Sequence, residues 1–264
     1  MAGDAVDAAA VAARLRPPVS GPVLWAHEVT STNDLLAARA RRGDPEGVVM
    51  GADHQTAGRG RRGRVWEDGA GEALLFSVLL RPPMAPADAG LLPIVVAVGA
   101  AEGLAAHGVP VRICWPNDLL LGDRKLGGIL CEIAADRDRV DWAVVGIGIN
   151  VSGVPRLTGG RWTPAAVADA PGVAVSRTEL LASLLTALSA RIAGWYGGDE
   201  AGVLAAFADM DALAGRPVTV GAPGGEVTGT AAGLAGDGAL RVVLPDGSER
   251  RLTGGEVTGV DGAA

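Results

Sequence analysis

Residues 73–80 include seven apolar side chains and a single serine. A short run of this kind is typical of a strand buried in a sheet, and residues 91–106 predict a buried helix soon after it. Strands and helices alternate along the chain, so the sequence predicts an α/β (α+β) fold in which helices flank a mixed sheet. Other strands are predicted at 23–25, 47–52, 111–115, 119–121, 128–134 and 142–149, and helices after residues 30–34 and at 178–195 and 201–213.

The chain changes character after Gly215-Arg216-Pro217. Five short predicted strands follow, at 218–220, 227–233, 240–244, 249–253 and 257–260, separated by Gly, Pro and Asp. This pattern predicts a small SH3-like β-barrel. Gly-Gly-Glu-Val-Thr-Gly occurs at 224–229 and at 254–259, which we attribute to similar turns or to chance. We therefore divide the chain into a frayed or weakly helical leader (1–20), a large α/β domain (21–214) and a C-terminal β domain (215–264).

Composition narrows the range of functions. The net charge is −7, and Cys114 and Cys131 form no metal-ligand spacing, so we expect no structural metal. No cationic region precedes the apolar residues of the N-terminus, which therefore does not resemble a secretory signal. The uncharged run 91–101 is too short to cross a bilayer. We expect a cytoplasmic protein that works without a membrane.

The densest positive charge lies in residues 55–66. Gly-Arg-Gly-Arg-Arg-Gly-Arg at 58–64 places four arginines and three glycines in seven residues, and Trp66 closes the run. Glycines allow backbone N–H groups to approach a ligand, and arginines match phosphate or carboxylate. We interpret the segment as a loop that closes over a phosphate-bearing ligand.

Two familiar glycine-rich motifs match this loop only in part. The dinucleotide fingerprint requires a helix to begin within the glycines, whereas a strand is predicted after these. The kinase glycine-loop pattern also fits, but no Val-Ala-Ile-Lys, His-Arg-Asp or Asp-Phe-Gly follows. Neither a Rossmann domain nor a kinase is indicated.

Three more segments carry polar chemistry or unusual glycines. Cys-Trp-Pro-Asn-Asp at 114–118 ends a strand, Arg-Lys-Leu-Gly-Gly-Ile-Leu at 124–130 opens another, and Gly-Ile-Gly-Ile-Asn at 146–150 ends a third. An Asx-turn hairpin, an exposed hairpin lysine and a packing requirement would explain them structurally. Lys125 is nevertheless the only lysine in the chain, and the glycines leave room for a flat ring.

Together with Thr-Ser-Thr-Asn at 30–33, these segments resemble the ordered motif series of biotin–protein ligases over about residues 24–152. The resemblance implies a class II aminoacyl-tRNA synthetase-like catalytic domain with an SH3-like tail. It also implies that Mg²⁺ and ATP activate biotin as biotinyl-5′-AMP, and that biotin then passes to a lysine of a biotin carboxyl carrier domain in an acyl-CoA carboxylase.

By position, the resemblance makes Arg61 and Lys125 the catalytic cations, since joining a carboxylate to a phosphate brings two anions together. Trp66 would stack on adenine, Asn117 would bind its edge, and Asp118 would either position Mg²⁺ or act structurally. The biotin-binding residues would be Ser31, Thr32, Asn33, Gln55, Arg59, Gly60, Arg61, Lys125 and Gly128, and the ATP-binding residues Arg61, Arg64, Trp66, Asn117, Asp118 and Asn150.

The sequence departs from the family at two points. Cys114 stands where the family usually has a lysine, so we expect reduced ATP affinity rather than lost activity. Only about 20 residues precede the catalytic domain, fewer than the winged-helix DNA-binding domain of bifunctional members needs, so we expect the monofunctional class. The oligomeric state stays open, a homodimer included.

Several alternatives remain. A lipoate–protein ligase shares the fold and the adenylate chemistry, and an octanoyl- or lipoyl-transferase shares the fold. A nucleic-acid-binding regulator would use the basic loop differently, but the acidic net charge and the low aromatic content of 3% favour no nucleic-acid partner.

Overall fold

The computed structural model describes residues 4–155, 161–174 and 176–260. Residues 1–3 of the predicted leader and residues 261–264 of the predicted C-terminal domain lie outside these ranges.

A large mixed sheet forms the centre of the protein. It contains seven strands in the order β1-β2-β3-β7-β6-β5-β4. Strands β1 and β2 are parallel, and every other neighbouring pair is antiparallel. The predicted mixed sheet is therefore confirmed. The strands are β1 (Val23–Val29), β2 (Val49–Gln55), β3 (Ala73–Leu80), β4 (Val111–Cys114), β5 (Asp118–Leu121), β6 (Arg124–Ala135) and β7 (Val140–Asn150).

Helices cover both faces of this sheet. They are α1 (Ala8–Ala12), α2 (Thr32–Arg41), α3 (Leu92–Ala105), α4 (Arg177–Tyr196) and α5 (Glu200–Met210). Alternate residues of a strand point to opposite faces, so Leu74 and Phe76 of β3 enter the main core with α3 and α4. Leu79 joins a smaller cluster with Leu36 of α2 and Val144 of β7.

A five-stranded antiparallel sheet follows α5, in the order β11-β10-β9-β8-β12. The two copies of Gly-Gly-Glu-Val-Thr-Gly lie on either side of β8. Val227 of one copy and Val257 of the other both pair with Val220, and all three are buried. The copies are thus equivalent neighbours of one strand. The strands are β8 (Pro217–Ala222), β9 (Gly225–Leu234), β10 (Leu240–Val243), β11 (Glu249–Leu252) and β12 (Glu256–Val260).

The N-terminal segment is packed more firmly than a frayed leader. Asp7 caps α1, and Val11, Leu15 and Val19 are buried in the main core. Val11 lies in α1, whereas Leu15 and Val19 lie in the segment that follows it. Of the two descriptions that the sequence allowed, residues 4–20 fit a short helix rather than a frayed end.

The most apolar helical stretch is longer than the run 91–101 suggested. A 3₁₀ turn at Pro86–Leu91 continues directly into α3. By length and composition alone the combined stretch Pro86–Ala105 would suit a membrane span, with a mean hydropathy of 1.5, but 72% of that window is buried inside the protein.

Helices α3 and α4 approach each other through two glycines. A Cβ on Gly103 would lie 2.7 Å from the Cα of Leu184, and one on Gly99 would lie 3.0 Å from the Cα of Leu188. Both neighbours are backbone atoms, which cannot move without separating the helices. The absence of side chains at these positions therefore sets the spacing of the helical layer.

We expect Gly103→Ala to lower the free energy of unfolding by about 1–3 kcal/mol, because the added methyl overpacks this contact. Gly194→Ala in α4 is the matched control. Its Cβ would meet nothing closer than 3.8 Å, so the gain in helix propensity should stabilise the protein by about 0.5–1 kcal/mol. Urea denaturation measures both changes. A Gly103→Ala protein as stable as the parent would contradict this account of the packing.

Candidate active site

Glycines form the floor of the site on the α2 face of the sheet. Gly146 and Gly148 alternate with the core residues of β7 and therefore face α2. A Cβ on Gly146 would collide with the amide of Asn33, and one on Gly148 would lie 2.7 Å from the Trp66 ring. The sequence suggested that these glycines leave room for a flat ring. The ring in that position is the indole of Trp66.

A neutral polar cluster lies at one end of this floor, where α2 begins. The hydroxyl of Ser31 caps the helix and accepts from the Asp34 N–H at 3.4 Å. The Thr32 N–H donates to Oε1 of Gln55 at 2.8 Å. A cavity of about 40 Å³ adjoins the cluster and is lined also by Arg59 and Trp66. It has room for only a few water molecules.

The sequence analysis missed two residues that hold this cluster in place. The buried hydroxyl of Ser77 lies 2.7 Å from Oγ1 of Thr32 and 2.6 Å from Oδ1 of Asn33. Glu132 accepts from Nδ2 of Asn33 at 2.7 Å. Ser77 had a signal in the sequence, since it is the lone polar residue of an apolar strand. Glu132 had none.

The glycine/arginine loop, residues 58–66, is closed by its own backbone. The Trp66 N–H donates to the Gly58 carbonyl at 2.9 Å, and the Gly60 N–H donates to the Arg64 carbonyl at 2.7 Å. Arg62 adopts a φ of 57° and Gly63 a φ of 74°, left-handed values that suit glycine and are uncommon for arginine. These two residues turn the chain back toward the sheet.

Three of the four arginines in the loop are bound to carboxylates. Arg59 donates to Asp34 at 2.6 Å and to Glu132 at 3.0 Å. Arg64 lies 2.8 Å and Arg62 3.6 Å from Glu256 of β12. Glu256, which the sequence analysis also missed, therefore joins the loop to the C-terminal sheet.

The fourth arginine, Arg61, faces a different environment. Its Nη1 donates to Oδ1 of Asn117 at 3.1 Å, and no carboxylate among the described residues lies within 4.0 Å. Burial lowers its pKa, and the neighbouring Arg62 cation lowers it further. Asn117 also donates to the Ile129 carbonyl at 2.9 Å. Asn117 thus positions Arg61, while its predicted contact with adenine stays a prediction.

Arg61 and Lys125 both line a second cavity, of about 310 Å³, between the loop, the large sheet and β12. We call it the cationic cavity. Lys125 Nζ lies 2.6 Å from Oδ1 of Asp118. The backbone of Lys125 is fixed by Thr163, whose carbonyl accepts from its N–H at 2.8 Å, and by Ala165, whose N–H donates to its carbonyl at 2.7 Å. The lysine is therefore held at both its main chain and its ammonium group.

Cys114 and Trp66 bring uncharged groups to the same cavity. Burial, and secondarily the Asp118 charge, raises the pKa of the Cys114 thiol to about 12, so it stays neutral at physiological pH. The buried Nε1–H of Trp66 finds no acceptor within the part of the chain that the structure describes. Such a donor costs free energy unless a ligand or water binds it.

All the predicted site residues line these two adjoining cavities. Trp66 and Arg59 line both cavities. Asn150 is buried, and its side-chain amide donates to the Ala165 carbonyl at 2.9 Å. Across residues 4–155, 161–174 and 176–260, no group of three or more His, Cys, Asp and Glu side chains is arranged to hold a metal ion. Of the other predicted site residues, the first cavity is lined by Ser31, Thr32, Asn33 and Gln55. The second is lined by Gly60, Arg61, Arg64, Asn117, Asp118, Lys125, Gly128 and Asn150.

Comparison with known sequences identifies the class of proteins that has this fold and this pair of cavities. Residues 25–150 match the model of the biotin/lipoate A/B protein ligase family, and residues 214–258 match that of the biotin protein ligase C-terminal domain. The chain belongs to the biotin/lipoate A/B protein ligase family. A biotin–[acetyl-CoA-carboxylase] ligase of Mycobacterium tuberculosis is 35% identical over 217 residues, which cover 80% of this chain and 79% of that protein.

Other relatives differ in length. The bifunctional ligase/repressor BirA of Bacillus subtilis is 40% identical over 143 residues, and the match covers 53% of this chain but only 44% of BirA. Among solved structures, the biotin protein ligase of Aquifex aeolicus in complex with biotin and ATP superposes with a TM-score of 0.73 at 26% identity. That match covers 89% of this chain and 97% of the Aquifex chain.

We expect Glu256→Gln to loosen the loop, because it weakens the ion pairs of Arg62 and Arg64. The pairs are partly exposed and together should contribute about 1 kcal/mol, so trypsin should cleave after the loop arginines roughly fivefold faster. Mass spectrometry of limited digests identifies the cleaved bonds.

Glu249→Gln is the control, since it removes the 2.7 Å pair with Arg241 in the same small sheet. Equal loop cleavage in both variants would show that Glu256 does not hold the loop.

Proposed function

We propose that this protein is a biotin–protein ligase that makes biotinyl-5′-AMP from biotin and ATP and then transfers biotin to a lysine of a biotin carboxyl carrier domain. The observation that carries the proposal is the contrast between the two ends of the site. A neutral hydrogen-bonding cluster lies at one end and a cationic cavity at the other, with Trp66 between them. Biotin has a neutral ureido ring and a carboxylate, which match these two ends.

The polar cluster suits the ureido group. Ser31, Thr32 and Gln55 offer both donors and acceptors, and a site that satisfies polar atoms rejects ligands that lack them. The 40 Å³ cavity is narrow where the indole of Trp66 lies against Gly148. The Nε1–H of this ring, unpaired among the described residues, is a donor available to a ligand.

The cationic cavity suits the activation step. The biotin carboxylate oxygen attacks the α-phosphorus of ATP, the bond from that phosphorus to the bridging oxygen breaks, and its electron pair leaves with pyrophosphate. Arg61 and Lys125 offset the charge that accumulates between the two anions. Because Asn117 and Asp118 already orient these cations, little reorganisation is needed when the substrates bind.

Mg²⁺ enters this proposal with ATP, as the metal of the substrate. The carboxylates that line the cationic cavity include Asp118 and Glu256, and both are bound to cations of the chain. This arrangement suits an ion held mainly by phosphate oxygens and water, as Mg²⁺ commonly is.

The transfer step needs an acceptor amine from the carrier protein. That amine attacks the acyl carbon of the adenylate, AMP leaves, and an amide forms. Holding the adenylate next to the incoming lysine supplies much of the rate enhancement, and the closed loop shields the mixed anhydride from water.

The pairing of the loop arginines argues against the nucleic-acid alternative. Asp34, Glu132 and Glu256 bind Arg59, Arg62 and Arg64, so most of the positive charge of the loop is already balanced within the protein. The lipoate alternative is not favoured, since two matched relatives are named biotin–[acetyl-CoA-carboxylase] ligase. The cytoplasmic location and a homodimer stay predictions from the sequence.

The test is pyrophosphate release by the purified protein with Mg-ATP and added biotin, lipoate or neither. We expect release with biotin alone. Lys125→Arg should reduce the rate by a factor on the order of 10²–10³, because a guanidinium cannot reproduce the point charge beside Asp118. Arg124→Gln, which breaks only the partly exposed pair with Asp169, should retain full activity. Release of pyrophosphate with lipoate but not with biotin, or release when neither acid is added, would overturn the proposal.

A second expectation concerns Cys114. Because its thiol is neutral, Cys114→Lys should add a cation to the phosphate end and lower the KM for ATP by about threefold to tenfold. Cys114→Met, which changes size without charge, should leave this KM at or above the parent value. An unchanged KM for ATP in the lysine variant would contradict the hypothesis that the thiol weakens ATP binding.

A further inference from the structure

Arg161 lines the cationic cavity from the segment that follows β7. Its Nη1 donates to the Val257 carbonyl at 3.1 Å. Its guanidinium lies 4.1 Å from the ring centroid of Trp162, a stacking distance. A backbone acceptor and an aromatic face therefore fix this planar cation, although nothing in the sequence motifs pointed to it.

The positive charge of Arg161 has no counter-ion among the described residues. In the described ranges no carboxylate lies within 4.0 Å of it. Two carboxylates that line the same cavity are bound elsewhere, Asp118 to Lys125 and Glu256 to Arg64. Burial lowers the pKa of Arg161, and the Arg216 cation also lowers it, while Asp118 raises it. A partly buried, unpaired cation is unfavourable unless an anion joins it.

We propose that Arg161 binds the β- and γ-phosphates of ATP and holds them as they leave as pyrophosphate. This inference rests on the proposed function and extends it to a residue outside the sequence motifs. Arg61 and Lys125 approach the cavity from the loop and from β6, whereas Arg161 approaches from the segment beside β12. All three cations line the one cavity, and the terminal phosphates of ATP carry most of its charge.

The chemistry assigns Arg161 a role in one step only. When the carboxylate attacks the α-phosphorus, the bond to the bridging oxygen breaks and negative charge moves onto pyrophosphate. A guanidinium that binds this leaving group stabilises the charge as it develops. The later transfer to the carrier lysine releases AMP, which has no β- or γ-phosphate, so that step does not need Arg161.

The experiment compares Arg161→Gln and Arg161→Lys with the parent and with Arg250→Gln, a control on exposed β11. Glutamine keeps a neutral donor for the Val257 carbonyl, and lysine keeps the charge. Calorimetry with Mg-pyrophosphate, in the absence of biotin, measures the contact directly. We expect Arg161→Gln to weaken pyrophosphate binding and raise the KM for ATP roughly tenfold or more, with a smaller effect in Arg161→Lys.

A second readout separates phosphate binding from a structural role. Transfer of biotin from preformed biotinyl-5′-AMP to a carrier domain should stay within about twofold of the parent in both variants. Unchanged pyrophosphate binding in Arg161→Gln would overturn the proposal, and so would a parallel loss in activation and transfer. If the parent binds pyrophosphate but shows no biotin-dependent release, the proposed function fails while the binding comparison still decides the role of Arg161.

Discussion

The site depends on two glycines of β7. Because these positions have no Cβ atoms, side chains from other elements can lie directly against the strand. Gly146 allows the Asn33 amide to lie against the strand, which sets the position of the α2 N-terminus. Gly148 allows the Trp66 indole to lie on the same face, which sets the end of the glycine/arginine loop. A Cβ at either position would collide with one of these groups, which would have to shift. The two elements that carry the polar cluster and the loop arginines are therefore both positioned by the backbone of one strand.

Carboxylates then divide the arginines into two groups with different roles. Arg59, Arg62 and Arg64 are paired, so they fasten the loop to α2, β6 and β12 and add little free charge to the cavity. Among the described residues, Arg61 is bound only by a neutral amide oxygen and keeps its positive charge for a ligand. The number of arginines overstates the positive charge that the loop offers to a phosphate, because carboxylates balance most of that charge.

The sequence predicted most of the fold because local patterns decided it. Ala73–Leu80 was correct to the residue, and Ser31 caps α2 as its position before an apolar helix suggests. The motif residues also meet in two adjoining cavities. Glu132 and Glu256 were missed because each is distant in sequence from the arginines that it binds, and charged residues are common at such surface positions. Only the register of β6 and the position of β12 bring them to the loop, and no local pattern specifies either.

Lys125 shows how such a site can make a reactive intermediate without modifying itself. It is the only lysine of the chain, and in the proposed reaction its amine lies beside the activated carboxyl group. An ammonium that donates to Asp118 at 2.6 Å has no free lone pair with which to attack. The same ion pair that orients the cation for activation thus disfavours its acylation. Lys125 is thereby held in an ion pair, whereas the acceptor in the proposed reaction is a lysine of the carrier domain.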